Sequence, residues 1–227
     1  MSVQHAWKET APMALGSGSR LAEGALESAL TALCGTRIQR IAAGAEIVGQ
    51  GEPADKVYRV LSGVVRISRV LADGRRQICD FLHTGDVLGP EAGIVHALAA
   101  EAVTPVTLQA LERRALSARA ETDVNLTGEL WRLSIDWFTR SQSHLMILAH
   151  QGALERVAAF LVNYARRIGA TDAFELPMTR QDIGDYLGLT LHTVSRTLCL
   201  MQAQGLIELD HRHVHLRKMD RLLDMVA

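Results

Sequence analysis

Between Arg37 and Leu111, short β-branched runs alternate with Gly- and Asp-containing breaks: RIQRIAAG, KVYRVLSG, VVRISRVLADG, RRQICDFLHTGD and EAVTPVTLQAL. Within them Val65 and Ile67 alternate with Arg66 and Ser68, the period of a strand with one buried face, and Ala72-Asp73-Gly74 supplies a hairpin turn. Many short strands with regular turns predict a closed β-roll. Upstream, Leu21, Leu26, Leu30 and Leu33 recur at mostly helical spacing, which predicts a short amphipathic helix. Residues 1–20, rich in Ala, Gly and Ser and ending in GSGS, show no sustained period and read as a flexible arm.

From about Thr122 the pattern turns helical, with Leu126, Leu130, Leu133, Trp137, His144 and Leu148 recurring at threes, fours and sevens. A continuous helix from Leu126 to His150 would run about 37 Å at 1.5 Å per residue. That is too long to bury on one roll, so part of the stripe is expected to pack against the same helix of a second copy, in a parallel homodimer. Gln151-Gly152 marks a break, after which ALERVAAFLVNYARRIG forms another amphipathic helix and GATDAFELP a connecting segment. The expected organisation is α+β: arm 1–20, roll 21–121, dimerisation helix 122–152 and a second domain 153–227.

In that second domain, Thr179-Arg180-Gln181-Asp182 has the T-x-x-D form of a capped helix start. IGDYL follows, then Gly188-Leu189-Thr190, then LHTVSRTLCLMQAQG. Two short helices meeting at a glycine-opened turn, the second capped by Thr190, have the layout of a helix-turn-helix, whose second helix enters the major groove of DNA. On that helix Val194 and Leu198 face one way, while His192, Ser195, Arg196 and Cys199 share another face at spacings of three, four and seven. Arg196 is the candidate principal base reader, because a guanidinium bonds guanine O6 and N7 bidentately. Ser195 and Thr193 are candidates for base edges or phosphates, and His192 for one donated or accepted bond. Thr179, Arg180, Thr190 and Arg212 are candidates for the phosphate backbone.

Gly205-Leu-Ile-Glu-Leu, Asp210-His-Arg and His213-Val-His-Leu-Arg-Lys read as two strands and a turn, a β-wing behind the helices. His211, His213 and His215 fall at alternate positions, as on one strand face, but no further ligand accompanies them, so no metal site is expected. Cys34, Cys79 and Cys199 are odd in number and far apart, which excludes a disulfide framework and a CxxC zinc site. Lys and Arg number 24 against 25 Asp and Glu, and from Ala153 onward the two signs balance nine to nine, so DNA affinity must come from placement. Arg166, Arg167, Arg180, Arg196, Arg212, Arg217 and Lys218 are expected on one side. The longest stretch without Asp, Glu, Lys or Arg, Ser141 to Leu154, is shorter than the ~20 apolar residues of a spanning helix. The N-terminus has no basic start leading into an apolar run, and a cytoplasmic protein is expected. No nucleophile–base pair, metal triad or phosphate loop falls at a motif spacing, so no catalytic residue is assigned and an enzyme is not expected.

GEPADKVYRVLSGVVRIS and LADGRRQICDFLHTGDVLG in the roll, and above all PMTRQDIGDYLGLTLHTVSRTL, resemble the Crp/Fnr superfamily of bacterial transcription regulators, and within it the FixK-like branch. The resemblance runs from about Arg37 to the C-terminus. It implies an N-terminal jelly-roll domain of the cyclic-nucleotide-binding kind, a long dimerisation helix and a C-terminal winged helix. It also implies a homodimer on a palindromic double-stranded DNA site, working with RNA polymerase, for which Arg75 and Arg76 in the roll's hairpin are contact candidates.

Three departures qualify that picture. Where cyclic AMP binders of the superfamily carry an Arg-Ser pair for the phosphate, Leu98-Ala99 stand here, so no cyclic nucleotide is expected. Cys34 is the only cysteine ahead of the roll, which precludes an Fnr-type four-cysteine iron–sulfur cluster. The family's E-x-x-S-R string, which reads a TTGA-type half-site, is H-T-V-S-R here, so His192 changes the contact at one base pair while Arg196 keeps its guanine. The expected function is a regulator, an activator in the first instance, that needs no cofactor and controls low-oxygen or nitrogen-oxide metabolism as FixK-like proteins do. The alternatives are an effector-dependent sensor of the same fold, through oxidation of Cys199 or haem on some of His83, His96, His144 and His150, or a ligand-sensing roll whose winged helix makes only protein contacts.

Overall fold

Two four-stranded antiparallel sheets form the N-terminal roll in this computed structural model, which describes residues 37–89 and 93–226. The expected arm 1–20, the helix 21–33 and Cys34 lie outside the described residues. One sheet runs β1 (Arg37–Ile41), β8 (Val106–Glu112), β3 (Lys56–Ser62), β6 (Val87–Leu88). The other runs β2 (Glu46–Val48), β7 (Ala99–Ala102), β4 (Val65–Val70), β5 (Arg76–Leu82). Their inner faces bury Val48, Val60, Val65, Ile67, Leu82, Ala100, Val106 and Leu108 together. The expected alternation in β4 breaks at Ser68, which is buried, because the β4–β5 register shifts between Ile67 and Ser68.

Helix α1 (Arg113–Ala120) follows β8 and is absent from the sequence reading. Its sequence RRALSARA offers a single buried residue, Leu116, too little apolar signal to show a period. Helix α2 (Val124–Ala149) starts at Asp123, whose carboxylate accepts from the Leu126 amide at 3.2 Å, and ends where expected, before the Gln151-Gly152 break. Its apolar positions divide between two faces. Leu126 and His144 are buried within the chain, whereas Val124, Trp131, Phe138 and Leu145, spaced every seven residues, are 85%, 67%, 60% and 66% exposed. The solvent-facing seam is therefore this heptad set, joined by Ile135 and Met146, and not the stripe read from the sequence, in which only Trp137 is exposed.

Helix α3 (Ala153–Ile168) is strongly amphipathic and buries Val157, Phe160, Leu161 and Tyr164 as the spine of the C-terminal domain. Against it pack α4 (Arg180–Leu187), α5 (Leu191–Ala203) and a terminal α6 (Met219–Met225). The wing is β10 (Ile207–Asp210) and β11 (His213–Leu216), as expected. The segment read as a connector supplies a third strand, β9 (Ala173–Glu175), with Val214 opposite Phe174. Three residues are too few for a strand period, which hid it.

Roll and C-terminal domain share one apolar cluster: Val64, Ile78 and Phe81 lie in the same buried set as Leu161, Ile183 and Leu187. Tyr186 is the hinge of this contact, stacked on His144 at 3.8 Å between centroids and 5.5 Å from Phe81. Beside it, Asp80 accepts from Arg140 of α2 at 3.1 Å and Arg167 of α3 at 2.6 Å, and Arg167 also reaches Asp86 at 2.6 Å. These side chains are no more than about a quarter exposed, so the pairing is largely withdrawn from water and its loss costs more than that of a surface pair.

A Cβ on Gly184 would sit 2.6 Å from the Leu189 carbonyl oxygen, so Gly184→Ala should destabilise the protein by about 1–3 kcal/mol in chemical unfolding. His83 lies edge-on to Tyr164, and burial, reinforced by the Arg167 charge, pushes its pKa down to about 4. The fold holds neutral imidazole, so the unfolded chain binds a proton the folded chain refuses. Stability is therefore full above pH ~6.5 and falls as pH drops toward 4, with a slope of up to about 1.4 kcal/mol per pH unit for one proton. Burial shifts His144 in the same direction. His83→Gln should flatten unfolding free energy against pH in that window; an unchanged slope would assign the titration elsewhere.

Candidate nucleic-acid interface

The first helix of the pair is fixed by a reciprocal cap. The Asp182 amide donates to the Thr179 hydroxyl at 3.1 Å, and the Thr179 amide donates to the Asp182 carboxylate at 3.1 Å, as the T-x-x-D spacing predicts. Gly188 closes α4 in the left-handed region at φ 64°, and the Leu189 amide returns to the Gly184 carbonyl at 2.9 Å. Thr190 then caps α5, accepting from the Thr193 amide at 3.2 Å.

Val194, Thr197, Leu198 and Met201 anchor α5 in the core. His192, Arg196 and Cys199 are exposed, with Thr193 and Ser195 half-buried between them, so the face expected to read bases is brought together in solvent. Among the described residues, nothing holds the His192 or Arg196 side chain by a hydrogen bond or ion pair. Thr179 and Thr190 are exposed at the helix starts, with hydroxyls engaged in their caps. Arg180 is half-buried and donates to the His211 carbonyl in the wing turn at 3.3 Å; burial lowers its pKa, an effect that the neighbouring Cys199 thiol opposes. Arg212 is exposed at the tip of the wing.

Several expected placements differ. His211 sits in the wing turn at φ 52°, so only His213 and His215 belong to β11 and the three do not share one strand face. Among the described residues no three His, Cys, Asp or Glu converge as metal ligands. Arg167 faces the roll, bound to Asp80 and Asp86, and Arg217 pairs with Glu208, so neither stands free on a DNA-facing side. Arg75 is exposed and paired with Asp73 at 2.7 Å, whereas Arg76 faces α4, 2.8 Å from Asp185 and 2.7 Å from Asp182. Burial works against the Arg76 charge, but the Asp185 bond and the two carboxylates outweigh it and raise its pKa.

The histidines considered for haem are dispersed. His83 lies against Tyr164, His96 is buried in the roll, His144 bonds the Tyr186 carbonyl at 2.7 Å, and His150 accepts Arg156 on its carbonyl. Of Leu98 and Ala99, where a cyclic phosphate would need a cation, Ala99 opens β7 and Leu98, just ahead of it, packs on the apolar core of the roll, a lining that does not fit a phosphate.

The sequence reading missed Arg66, Asp185 and Tyr186, and the second role of Asp182. Residues more than a hundred positions apart in the chain meet here, and no local period signals such a meeting.

Two family models cover the chain: the cyclic nucleotide-binding domain over residues 38–123 and the Crp-like helix-turn-helix domain over residues 155–225. The nitrogen fixation regulation protein FixK of Azorhizobium caulinodans is 47% identical over 178 residues, 76% of this chain and 72% of that one. The transcriptional activatory protein AadR of Rhodopseudomonas palustris is 37% identical over 169 residues, 71% and 69% of the two chains. The solved structure of FixK2 from Bradyrhizobium japonicum superposes with a TM-score of 0.80 at 40% identity, covering 85% of this chain and 98% of that one. A roll, a long helix and a winged helix-turn-helix in this order, with this identity to DNA-binding regulators rather than enzymes, place the chain in the Crp/Fnr family, among its FixK-like members.

Proposed function

We propose that the protein is a homodimeric transcription activator that reads a palindromic TTGA-like site in double-stranded DNA with α5, without cyclic nucleotide or iron–sulfur cluster. The observation that carries this reading is the open face of α5, where, among the described residues, nothing bonds the Arg196 or His192 side chain, on a helix whose opposite side is locked into the core. Arg196 reads guanine, His192 replaces a carboxylate and so prefers a purine acceptor at its base pair, and Ser195 and Thr193 complete the contact. Thr179, Arg180, Thr190 and Arg212 border the same face and position the phosphate backbone. The exposed heptad seam of α2 supports the second copy: large apolar side chains every seven residues suit a parallel helix pair and little else.

Of the two arginines proposed to touch RNA polymerase, Arg75 is the one whose side chain stands in solvent. The relatives' names, nitrogen fixation regulation and transcriptional activation, support a gene activator; its cytoplasmic location and its control of low-oxygen or nitrogen-oxide genes are carried over from the FixK-like resemblance. One observation favours an added redox input: Cys199 is exposed on the same face of α5 as Arg196, so an oxidised sulfur there would lie against the bound DNA.

Selection from random duplexes with ligand-free protein should recover a two-fold site with half-sites about one helical turn apart. Arg196→Ala should then lose about 1–3 kcal/mol and relax preference at one base pair per half-site; equal affinity with unchanged preference would remove Arg196 from the reading. Trp131→Glu with Phe138→Glu should convert the light-scattering mass from two chains to one. Two chains in the variant would place the dimer contact elsewhere.

A further inference from the structure

One carboxylate both caps the helix-turn-helix and pins it to the roll. Asp182 is 1% exposed; its Oδ2 accepts from the Thr179 amide at 3.1 Å and hydroxyl at 2.8 Å, while its Oδ1 accepts from Arg66 at 3.1 Å and Arg76 at 2.7 Å. Arg66 is aimed from β4 by a two-point bond to Glu101 on β7. Arg76, on β5, reaches one turn further to Asp185, and Gln77 donates to the Tyr186 carbonyl at 3.3 Å. Asp182, Asp185 and Tyr186 fall at i, i+3 and i+4, so one face of α4 is tied to the roll at three levels. With this tie made, the α5 face carrying His192 and Arg196 remains open. The tie therefore does not cover the reading surface.

We propose that Arg66 and Arg76 are positioning residues for DNA reading: acting through Asp182 and Asp185, they fix α4, and with it α5, at a set angle to the long helix in the absence of any effector. This rests on the reading of α5 as the DNA-contacting helix. The roll then serves as a brace, and in a dimer the brace sets the distance between the two reading helices. Beyond this tie the C-terminal domain is held by the Gln151-Gly152 link, the shared apolar face and the bridges of Arg167 to Asp80 and Asp86, none of which touches α4 or α5 through a charged group. A loosened brace should cost affinity and, more tellingly, discrimination between half-site spacings.

The test uses the full-length protein and the selected duplex, with and without two inserted central base pairs. Arg76→Glu places a like charge against Asp182 and Asp185; Arg69→Glu, an equal charge change at an exposed position on β4, is the control. The expected result is affinity reduced tenfold or more by Arg76→Glu and threefold or less by Arg69→Glu. The preference for the native spacing should shrink in Arg76→Glu, and adding Asp185→Arg should recover at least half of the logarithmic loss. Arg76→Glu matching Arg69→Glu, binding more tightly than the wild type, or remaining unrescued while folded would each overturn the proposal. If Arg76→Glu does not fold, Arg66→Gln with Arg76→Gln takes its place, with spacing preference as the readout. If the wild type binds no duplex, the DNA-reading assignment fails by itself. The brace is then judged by the unfolding double-mutant cycle of Arg76→Ala and Asp185→Ala, where additive effects would overturn it.

Discussion

A carboxylate withdrawn from water stays charged at little cost only when it is fully paired, and Asp182 meets that condition only while two separate parts of the chain are in contact. Half of its bonds come from the turn that begins α4, and half from arginines on β4 and β5. The local start of the helix-turn-helix and the long-range docking of the roll are thus satisfied by one group. Asp80 repeats the logic from the roll's side, a roll carboxylate that collects Arg140 of α2 and Arg167 of α3. Between these two charge clusters lies the apolar contact of Phe81, Tyr186 and His144. Specific pairing set around an apolar centre defines one docking geometry, where apolar burial alone would tolerate sliding.

That geometry separates the chain's surfaces by task. The face of α4 toward the roll is consumed by the brace, the inner face of α5 by the core, and the outer face of α5 is left with Arg196 and His192 in water. The roll has no cation at Leu98-Ala99 for a cyclic phosphate, and its strands instead donate Arg66 and Arg76 to the neighbouring domain. A family fold built around a ligand pocket is here held together by the exterior of its second sheet. In the proposed dimer, the heptad seam of α2 would carry the remaining large apolar surface.

Elements with strong local periods were legible in the sequence: the roll strands, the long helix with its break at Gln151-Gly152, the capped α4, the glycine turn and the wing. Short elements were not. Helix α1 buries one residue and β9 spans three, so neither produces a period. The α2 stripe misleads because Leu126 and Trp137, about three turns apart, share one angular face, yet Leu126 packs against Val57, Leu111 and Leu116 while Trp137, further along the axis, is left half-exposed. The exposed face of α5, proposed here to read bases, was legible as a shared face because that depends on spacing within a single helix. The brace was not, because Arg66 and Arg76 precede Asp182 by more than a hundred residues and look like ordinary solvated strand arginines until the fold brings them together.

The central claim is that the helix-turn-helix is already set for DNA before any ligand arrives. Hydrogen exchange on the free protein and on its complex with the selected duplex tests this most directly. The account predicts that the amides of residues 183–187 are protected to the same degree in both states, and that new protection appears only at the start of α5 and in the wing. Amides of 183–187 that exchange freely in the unbound protein and become protected only on DNA would contradict it.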